Sequence, residues 1–337
     1  MADGALLEAA RAGDDEAFGR LVAPYRGELH AHCYRILGST HDADDALQDA
    51  MLGAWKGLSG FQGRSSLRGW LYTVATHAAL RVGSRRPKRQ LSLDLAPPLE
   101  ATHDLGEPIA ETAWLEPYPG TLVDGLGALD PAARYDLRES VELAFVAALQ
   151  HLPATQRAVL ILRDVLAFSA AEVATALETS VAAVNSALQR ARAGLEERRG
   201  PTSQQRTLRE LGDTGREELV EAFVAAWERA DVEALLNLLV ADARLSMPPL
   251  PAWFDGREAV GRFLTERMFA SPWRLVPCDA SGQLGFACYM RAADGRYRLG
   301  GVTVLTLRGG RVAELTSFLE PVVDRRFGLP EELPGDR

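Results

Sequence analysis

Six residues close together, Ser180, Asn185, Ser186, Gln189, Arg190 and Arg192, are of types that read nucleic acid. Asparagine and glutamine amides pair with adenine edges, arginine pairs with guanine, and all of them also bond phosphate. A second set interleaves Trp70, Tyr72, Thr73, Thr76 and His77 with Arg68, Arg81, Arg85 and Arg86. Aromatic rings stack on unpaired bases while cations hold the backbone, a mixture suited to strand-separated DNA. A third set, Asp42, Asp45 and Asp49, stands at i, i+3 and i+7, with Asp44 beside it. Like charges at helical spacing cost a few tenths of a kcal/mol each, and such a face suits a basic partner. These sets bind; none of them makes or breaks bonds. The three cysteines, Cys33, Cys278 and Cys288, are too scattered for a Cys-based zinc site or a disulfide framework. No histidine follows His151, so the last part of the chain lacks the commonest acid–base group. Arg244, Asp255, Arg257 and Glu314 are its remaining polar candidates, and Asp255-Gly256 reads first as the turn opening a helix. No catalysis, cofactor or metal is expected.

The elements that must position these sets follow from periodicity. Leu21, Tyr25, Leu29, Cys33 and Ile36 recur at three- and four-residue steps, one face of a helix. Gly38-Ser39-Thr40 breaks it. The acidic helix that follows buries Ala43, Ala46, Leu47, Ala50, Met51 and Ala54, and a third helix runs from Leu67 to about Ser84, before Pro87. Helical pattern returns from Ser140 to about Arg199. There Ser169 with Glu172 forms a capping box for a short helix ending at Leu177, and Glu178-Thr179-Ser180 turns into a longer helix from Val181. This is a helix-turn-helix, packed by Val173, Ala174, Leu177, Val184 and Leu188.

Between the two helical parts, residues 91–139 carry prolines and ten acids against Arg134 and Arg138, the composition of a linker. Trp114 and Tyr118, in Trp-Leu-Glu-Pro-Tyr-Pro, are expected to dock on a folded neighbour. Residues 200–215 read as a second, polar linker. Beyond it, helices over 217–229, 231–239 and 256–269 precede strands over 284–291, 297–307 and 311–319, with tight turns at Asp294-Gly295 and Gly309-Gly310. The expected result is an α+β domain whose antiparallel meander curves round helices.

The whole chain has 337 residues, 47% apolar, enough for two or three domains. It has neither an apolar run long enough to span a membrane nor a basic-then-apolar leader, and its sparse cysteines fit a reducing cytoplasm. A net charge of −9 argues against a protein that coats nucleic acid non-specifically.

An acidic helix, an aromatic-basic helix, an acidic linker and a helix-turn-helix, in that order, resemble a sigma-70 family RNA polymerase sigma factor of the extracytoplasmic-function type. The resemblance is carried by Asp42-Ala-Asp-Asp-Ala-Leu-Gln-Asp49, Phe61 and Arg68-Gly-Trp-Leu-Tyr-Thr-Val-Ala-Thr-His77 in the first half, and by Leu152 to Arg157, Phe168 to Leu177 and Val184 to Arg192 in the second. It implies a fold class of two all-α sigma domains, a helical bundle and a helix-turn-helix, followed by an α+β cone resembling the SnoaL-like, nuclear-transport-factor-2-like domains. The implied boundaries are 12–90 for region 2, 91–139 for the linker, 140–199 for region 4, 200–215 for the second linker, 216–322 for the cone and 323–337 for a tail.

The resemblance also implies roles. Asp42, Asp45, Gln48, Asp49 and Trp55 would bind core RNA polymerase. Trp70, Thr73, Thr76, His77, Arg81, Arg85 and Arg86 would open and read the −10 element of promoter DNA, with His77 standing where such factors often carry asparagine. Ser180, Asn185, Ser186, Gln189, Arg190 and Arg192 would read the −35 element. The cone would regulate, using a small-molecule or intramolecular ligand in a cavity lined by Met247, Trp253, Phe254, Phe286 and Tyr289. Two rival readings are a ligand-sensing helix-turn-helix regulator and a cyclase- or isomerase-like enzyme with a DNA-binding leader.

Overall fold

The computed structural model describes residues 2–63, 65–109, 114–124, 131–198, 202–319 and 325–335. In chain order the first helices are α1 (Ala2–Arg11), α2 (Asp15–Val22), α3 (Arg26–Leu37), α4 (Thr40–Gly57) and α5 (Leu67–Gly83). The acidic connector holds α6 (Gly120–Asp124) and α7 (Pro131–Ser140). Four more helices follow, α8 (Leu143–Gln150), α9 (Ala154–Leu160), α10 (Ala170–Ala176) and α11 (Val181–Glu196). The last part comprises α12 (Gln204–Glu228), α13 (Val232–Leu238), β1 (Leu239–Ser246), β2 (Trp253–Asp255), α14 (Arg257–Glu266), β3 (Trp273–Ala280), β4 (Gln283–Arg291), β5 (Tyr297–Arg308), β6 (Arg311–Leu319) and β7 (Glu332–Leu333).

These elements form two compact units. One joins Met1–Lys88 with Ala144–Arg199; the other joins Arg89–Asp124 and Leu129–Leu143 with Gly200–Arg337. The connector therefore folds with the C-terminal part and not as a free tether.

In the helical unit, local chemistry starts and stops each helix. Gly38, at φ 68°, ends α3, and the Ser39 hydroxyl then accepts the Asp42 amide to open α4. Ser66 does the same for α5 through the Gly69 amide. Alanines 43, 46, 50, 75, 78 and 79 are fully buried, so α3, α4 and α5 approach closely round Leu29, Cys33 and Leu71. The capping box of α10 is present, with Glu172 N to Ser169 Oγ at 3.2 Å and Ser169 N to Glu172 Oε2 at 2.7 Å. Ser180 caps α11 through Ala183 N at 3.1 Å. At the end of α9, residues Ile161–Val165 widen into a π turn.

The first and second helical parts are one body. The Arg157 guanidinium donates to Gln150 Oε1 at 2.7 Å, to the Gln150 and Leu152 carbonyls at 3.1 Å each, and to the Ile36 carbonyl at the end of α3. Burial pulls its pKa down to about 10.

The C-terminal unit is a sheet of order β2-β1-β6-β5-β4-β3, with β7 added to β5. It is mixed and not a pure antiparallel meander, because β1 runs parallel to β6. On one face α12, α13 and α14 enclose a core in which Phe223 stacks on Phe286 at 4.8 Å and Phe254 on Phe263 at 4.6 Å. Strands β1, β2 and β3 have no counterpart in the sequence pattern. The pairing of β1 is interrupted by a register shift between Leu239 and Arg244, and β3 contains Pro277, tolerated because β3 lies at an edge of the sheet. The segment read as a second linker is instead the start of α12, whose Gln204 side chain bonds both the amide and the carbonyl of Leu307.

Candidate nucleic-acid interface

On α4 the acidic set divides. Asp42 is 2% exposed and its carboxylate meets Arg86 at 3.4 Å, so it is a structural residue and not part of a docking face. Asp44 pairs with His30 at 3.2 Å. Asp45, Gln48 and Asp49 are exposed, with Asp45 held only at 3.9 Å from Arg86. Trp55 is half-buried, edge-on to Phe18 of α2 at 5.1 Å. Leu52, which the sequence reading missed, is 51% exposed on the same helix, one turn beyond Gln48 and Asp49. An exposed leucine beside two carboxylates gives this face an apolar centre, and its only signal in the sequence is an apolar residue out of phase with the buried alanines.

On α5 the candidates are unequal. Thr76 is fully buried. Its hydroxyl donates to the Tyr72 carbonyl at 2.7 Å and so must accept from His32 Nε2, 2.8 Å away. His32 is thereby the Nε2–H tautomer, and burial, helped by Arg35, lowers its pKa to about 3. Thr76 is thus a core residue, a correction to its place among the DNA contacts. Arg86 is drawn to Asp42 and Asp45, and Arg68 makes a fork with Glu28 at 2.7 and 3.0 Å. Trp70 leans on Phe61 at 5.1 Å and remains partly exposed, as does Thr73. His77 Nε2 lies 2.7 Å from the Ala176 carbonyl. Arg81 and Arg85 project into solvent.

On α11 the polar set stands free of the core. Val184, Ala187, Leu188 and Ala191 are buried, whereas Asn185, Ser186, Gln189 and Arg190 are exposed. Ser180 is exposed as well as capping the helix. Arg192 is engaged by Asp164 through two bonds of 2.7 and 2.8 Å. Val181, at the start of α11, is 45% exposed.

The connector is strapped to the C-terminal unit by hydrogen bonds that use main-chain atoms and two serine hydroxyls. Ser92 Oγ donates to Leu250 O at 2.8 Å, Leu99 N to Trp253 O at 2.8 Å, and Ile109 N to Pro249 O at 3.1 Å. Leu99 and Leu105 pack on the core cluster. Tyr118 exchanges bonds with Ser281, its amide to the hydroxyl at 3.0 Å and the Ser281 amide to its carbonyl at 2.7 Å. At Gly120 a Cβ would sit 2.4 Å from Asp279 Cβ, so only glycine lets the strap lie flat. Arg138 reaches Asp124 at 3.1 Å and Asp279 at 3.2 Å, and burial pushes the Asp279 carboxyl up to about 6 against the pull of Arg138. Trp114 is different: its indole bonds Ile109 O at 3.0 Å and its carbonyl accepts from Arg89, both within the strap. Tyr118 makes the dock, while Trp114 folds the strap upon itself.

The five aromatic and Met residues expected to line one cavity do not share a face. Met247, Phe254 and Phe286 belong to the main core, whereas Tyr289 packs with Ala287 and Tyr297 on the other side of the sheet and donates to Pro330 O at 2.9 Å. Side chains alternate along a strand, and 286 and 289 differ by an odd number. Trp253 is covered by the strap, donating to Ala96 O at 2.7 Å.

Two all-α modules joined to a sheet-and-helix domain define the class, and family comparison matches each part. Sigma-70 region 2 matches residues 21–89, Sigma-70 region 4 matches 142–195, and a SnoaL-like domain matches 220–315. The ECF RNA polymerase sigma factor SigG of Mycobacterium tuberculosis is 42% identical over 328 residues, 96% of this chain and 86% of that protein. SigJ of the same organism is 29% identical over 322 residues, 90% of this chain and 92% of its own. The crystal structure of SigJ shares the fold, with a TM-score of 0.58 at 24% identity, over 92% of this chain and 98% of that one. The chain belongs to the extracytoplasmic-function RNA polymerase sigma factors, and it is a transcription initiation factor and not an enzyme.

Proposed function

We propose that this sigma factor docks on core RNA polymerase through the exposed face of α4, with Asp45, Gln48 and Asp49 around Leu52, and leaves Asp42 and Trp55 to hold the helix in place. Helix α11 reads the −35 element through Asn185, Ser186, Gln189 and Arg190, with Ser180 at its start and Arg192 tied back to Asp164. Trp70, Thr73, Arg81 and Arg85 meet the −10 element, His77 joins them only when released from Ala176, and Arg86 only when released from Asp42. The observation that carries this reading is the division of α11 into a buried apolar face and an uncommitted polar one. The net charge of −9 supports it: free factor is repelled by DNA, and polymerase must supply orientation and phosphate contacts.

The SnoaL-like domain regulates initiation by holding the connector, so its ligand is intramolecular: the strap of residues 92–120 rather than a small molecule. Among the described residues no helix is long and apolar enough to cross a membrane, and a factor working on polymerase and promoter DNA works in the cytoplasm. The test is transcription with purified core polymerase. Asp45→Arg with Asp49→Arg is expected to lower polymerase affinity at least tenfold with unchanged helical content. Full-strength binding of the double variant would remove α4 as the docking face.

A further inference from the structure

Where α7 of the connector meets α12, the C-terminal unit has a cavity of about 450 Å³, within the range of about 300–1,000 Å³ that takes a small organic ligand. It is not the interior of the cone, which Phe223, Phe254, Phe263 and Phe286 fill. Tyr135 and Arg138 reach it from α7, Arg209, Asp213 and Arg216 from α12, and Asp279 from the end of β3. A kink at Gly212 (φ 74°, ψ 173°) breaks the regular course of α12 in its wall. Three guanidiniums and two carboxylates thus line the cavity, and the ion pairs do not come out even. Arg138 is answered by Asp279 at 3.2 Å and by Asp124 at 3.1 Å. Arg216 is answered by Asp213 at 2.8 Å. Arg209 meets no carboxylate among the described residues; its guanidinium carbon lies 4.1 Å from the centre of the Tyr135 ring. Stacking engages the face of a guanidinium and leaves its in-plane N–H donors unspent, held in one orientation. Two other lining residues hold the start of region 4. Gln283 Oε1 accepts from the Leu143 amide at 2.8 Å, which caps α8, and the Gln205 amide donates to Glu142 Oε1 at 2.7 Å. The Gln205 side chain also donates to the Gly282 carbonyl, and a Cβ on Gly282 would lie 2.8 Å from the carbonyl of Arg138.

We infer that this cavity binds a small organic monocarboxylate with Arg209 as its anchor, and that the bound acid clamps the connector and the entry to region 4 onto the C-terminal domain. One unanswered cation calls for one negative charge, and a guanidinium edge bonds a carboxylate through two parallel N–H donors. A phosphate dianion would bring a second charge that meets Asp213 and Asp279 with no further cation to answer it. Leu208, Leu284 and Cys278, whose thiol burial keeps neutral by pushing it up to about 12, offer an apolar wall to the body of the acid. The lining comes from α7 and α12 together, a surface that exists only while the connector is docked. A ligand that binds that arrangement alone stabilises it by mass action, and only to the extent of its preference for it. The ligand of the domain itself remains the strap; the carboxylate binds the joint that the two make. The consequence for initiation rests on the regulatory reading of the domain given above, whereas the site and the clamp do not.

Calorimetric titration of the full chain with benzoate and with hexanoate, each set against its uncharged amide, tests the site without polymerase or DNA. At least one acid is expected to saturate a single site, and its amide to bind at least about tenfold more weakly, as the loss of a charge-assisted pair requires. Arg209→Gln, at an exposed position, is expected to weaken the acid at least about tenfold with an unchanged circular dichroism spectrum. Adding the acid is expected to slow hydrogen exchange over residues 131–143 in the natural chain and not in the variant. No saturable binding of either acid at millimolar concentration, amides that bind as well as the acids, or binding untouched by Arg209→Gln overturns the site. Inorganic phosphate binding as tightly as the acids overturns the monocarboxylate, and binding without slowed exchange overturns the clamp. In transcription with core polymerase, the acid is expected to shift initiation at least about twofold for the natural chain and not for Arg209→Gln. Binding and slowed exchange with no such shift leave the site and the clamp standing and strike the regulatory reading of the domain instead.

Discussion

Helices α5 and α11 both carry candidate DNA contacts, yet they present them differently. On α11 the polar residues 185, 186, 189 and 190 are exposed, and the buried residues fall at regular helical steps. On α5 and in the turn just after it, the candidates are interleaved with the core. Thr76 is consumed by His32, His77 by Ala176 and Arg86 by Asp42. A helix that touches its own module along one stripe keeps its other face for a ligand. One that packs on several sides keeps only fragments, and those fragments are decided by tertiary neighbours.

The largest effect that would sharpen this contrast comes from the buried side of α5. His32 has a folded pKa of about 3, below its ordinary value of 6.5. A depressed histidine holds its stabilising effect above the unfolded pKa and loses it as pH falls from 6.5 toward 3. The loss is about 1.4 kcal/mol per pH unit in that window. The protection factors of α3 and α5 amides, taken relative to intrinsic exchange at each pH, should therefore fall strongly between pH 6.5 and 4.5. His32→Gln should flatten that dependence; an unchanged slope in the variant would show that Thr76 and His32 do not form the buried pair. The exposed side of α11 gives the next effect. Arg190→Ala in the polymerase complex is expected to cost about 1–3 kcal/mol on promoter DNA if it pairs with a base. If it meets only phosphate, affinity should fall evenly across sequences and the salt slope should drop by about one. No loss on any promoter breaks the comparison, because the free face of α11 would then read nothing. The smallest effect belongs to Arg192. Its pairing with Asp164 is exposed and screened by solvent, so Arg192→Ala should leave the thermal midpoint nearly unchanged and shift promoter affinity less than Arg190→Ala, as a promoter titration of the two variants would show.

The contrast also explains what was legible in the sequence. Caps and turns were, because their signals are local: Ser169 with Glu172, Ser180, Asp294-Gly295 and Gly309-Gly310 all stand where the pattern puts them. The sigma modules and the SnoaL-like domain were legible for the same reason, as ordered strings of residue types. The exposed acids of α4 were found, but Asp42 was not separated from them, since its burial depends on Arg86 more than forty residues away. Thr76 was misplaced because its partner is on α3. Strand β3 was hidden by Pro277, and β1 by its register shift. The connector misled most: its prolines and acids carry no periodicity, and its order comes from the Ser92 hydroxyl bonded to Leu250 and from main-chain bonds to Trp253, Pro249 and Ser281, which leave little trace in side-chain pattern.

That strap has a consequence for how such a gene can be rearranged. Residues 89–124 and 129–143 complete the fold of a domain that otherwise begins at Gly200, and the chain passes through region 4 between the two contributions. Cutting after region 4 does not remove a module. It strands Leu99, Leu105 and Tyr118 without the surface they were folded against, and it uncovers Trp253 on any C-terminal fragment supplied separately. Recombination that swaps the last domain must exchange the middle segment with it. The inheritable piece is discontinuous: two stretches of coding sequence, separated by a DNA-binding module, that can be exchanged only together.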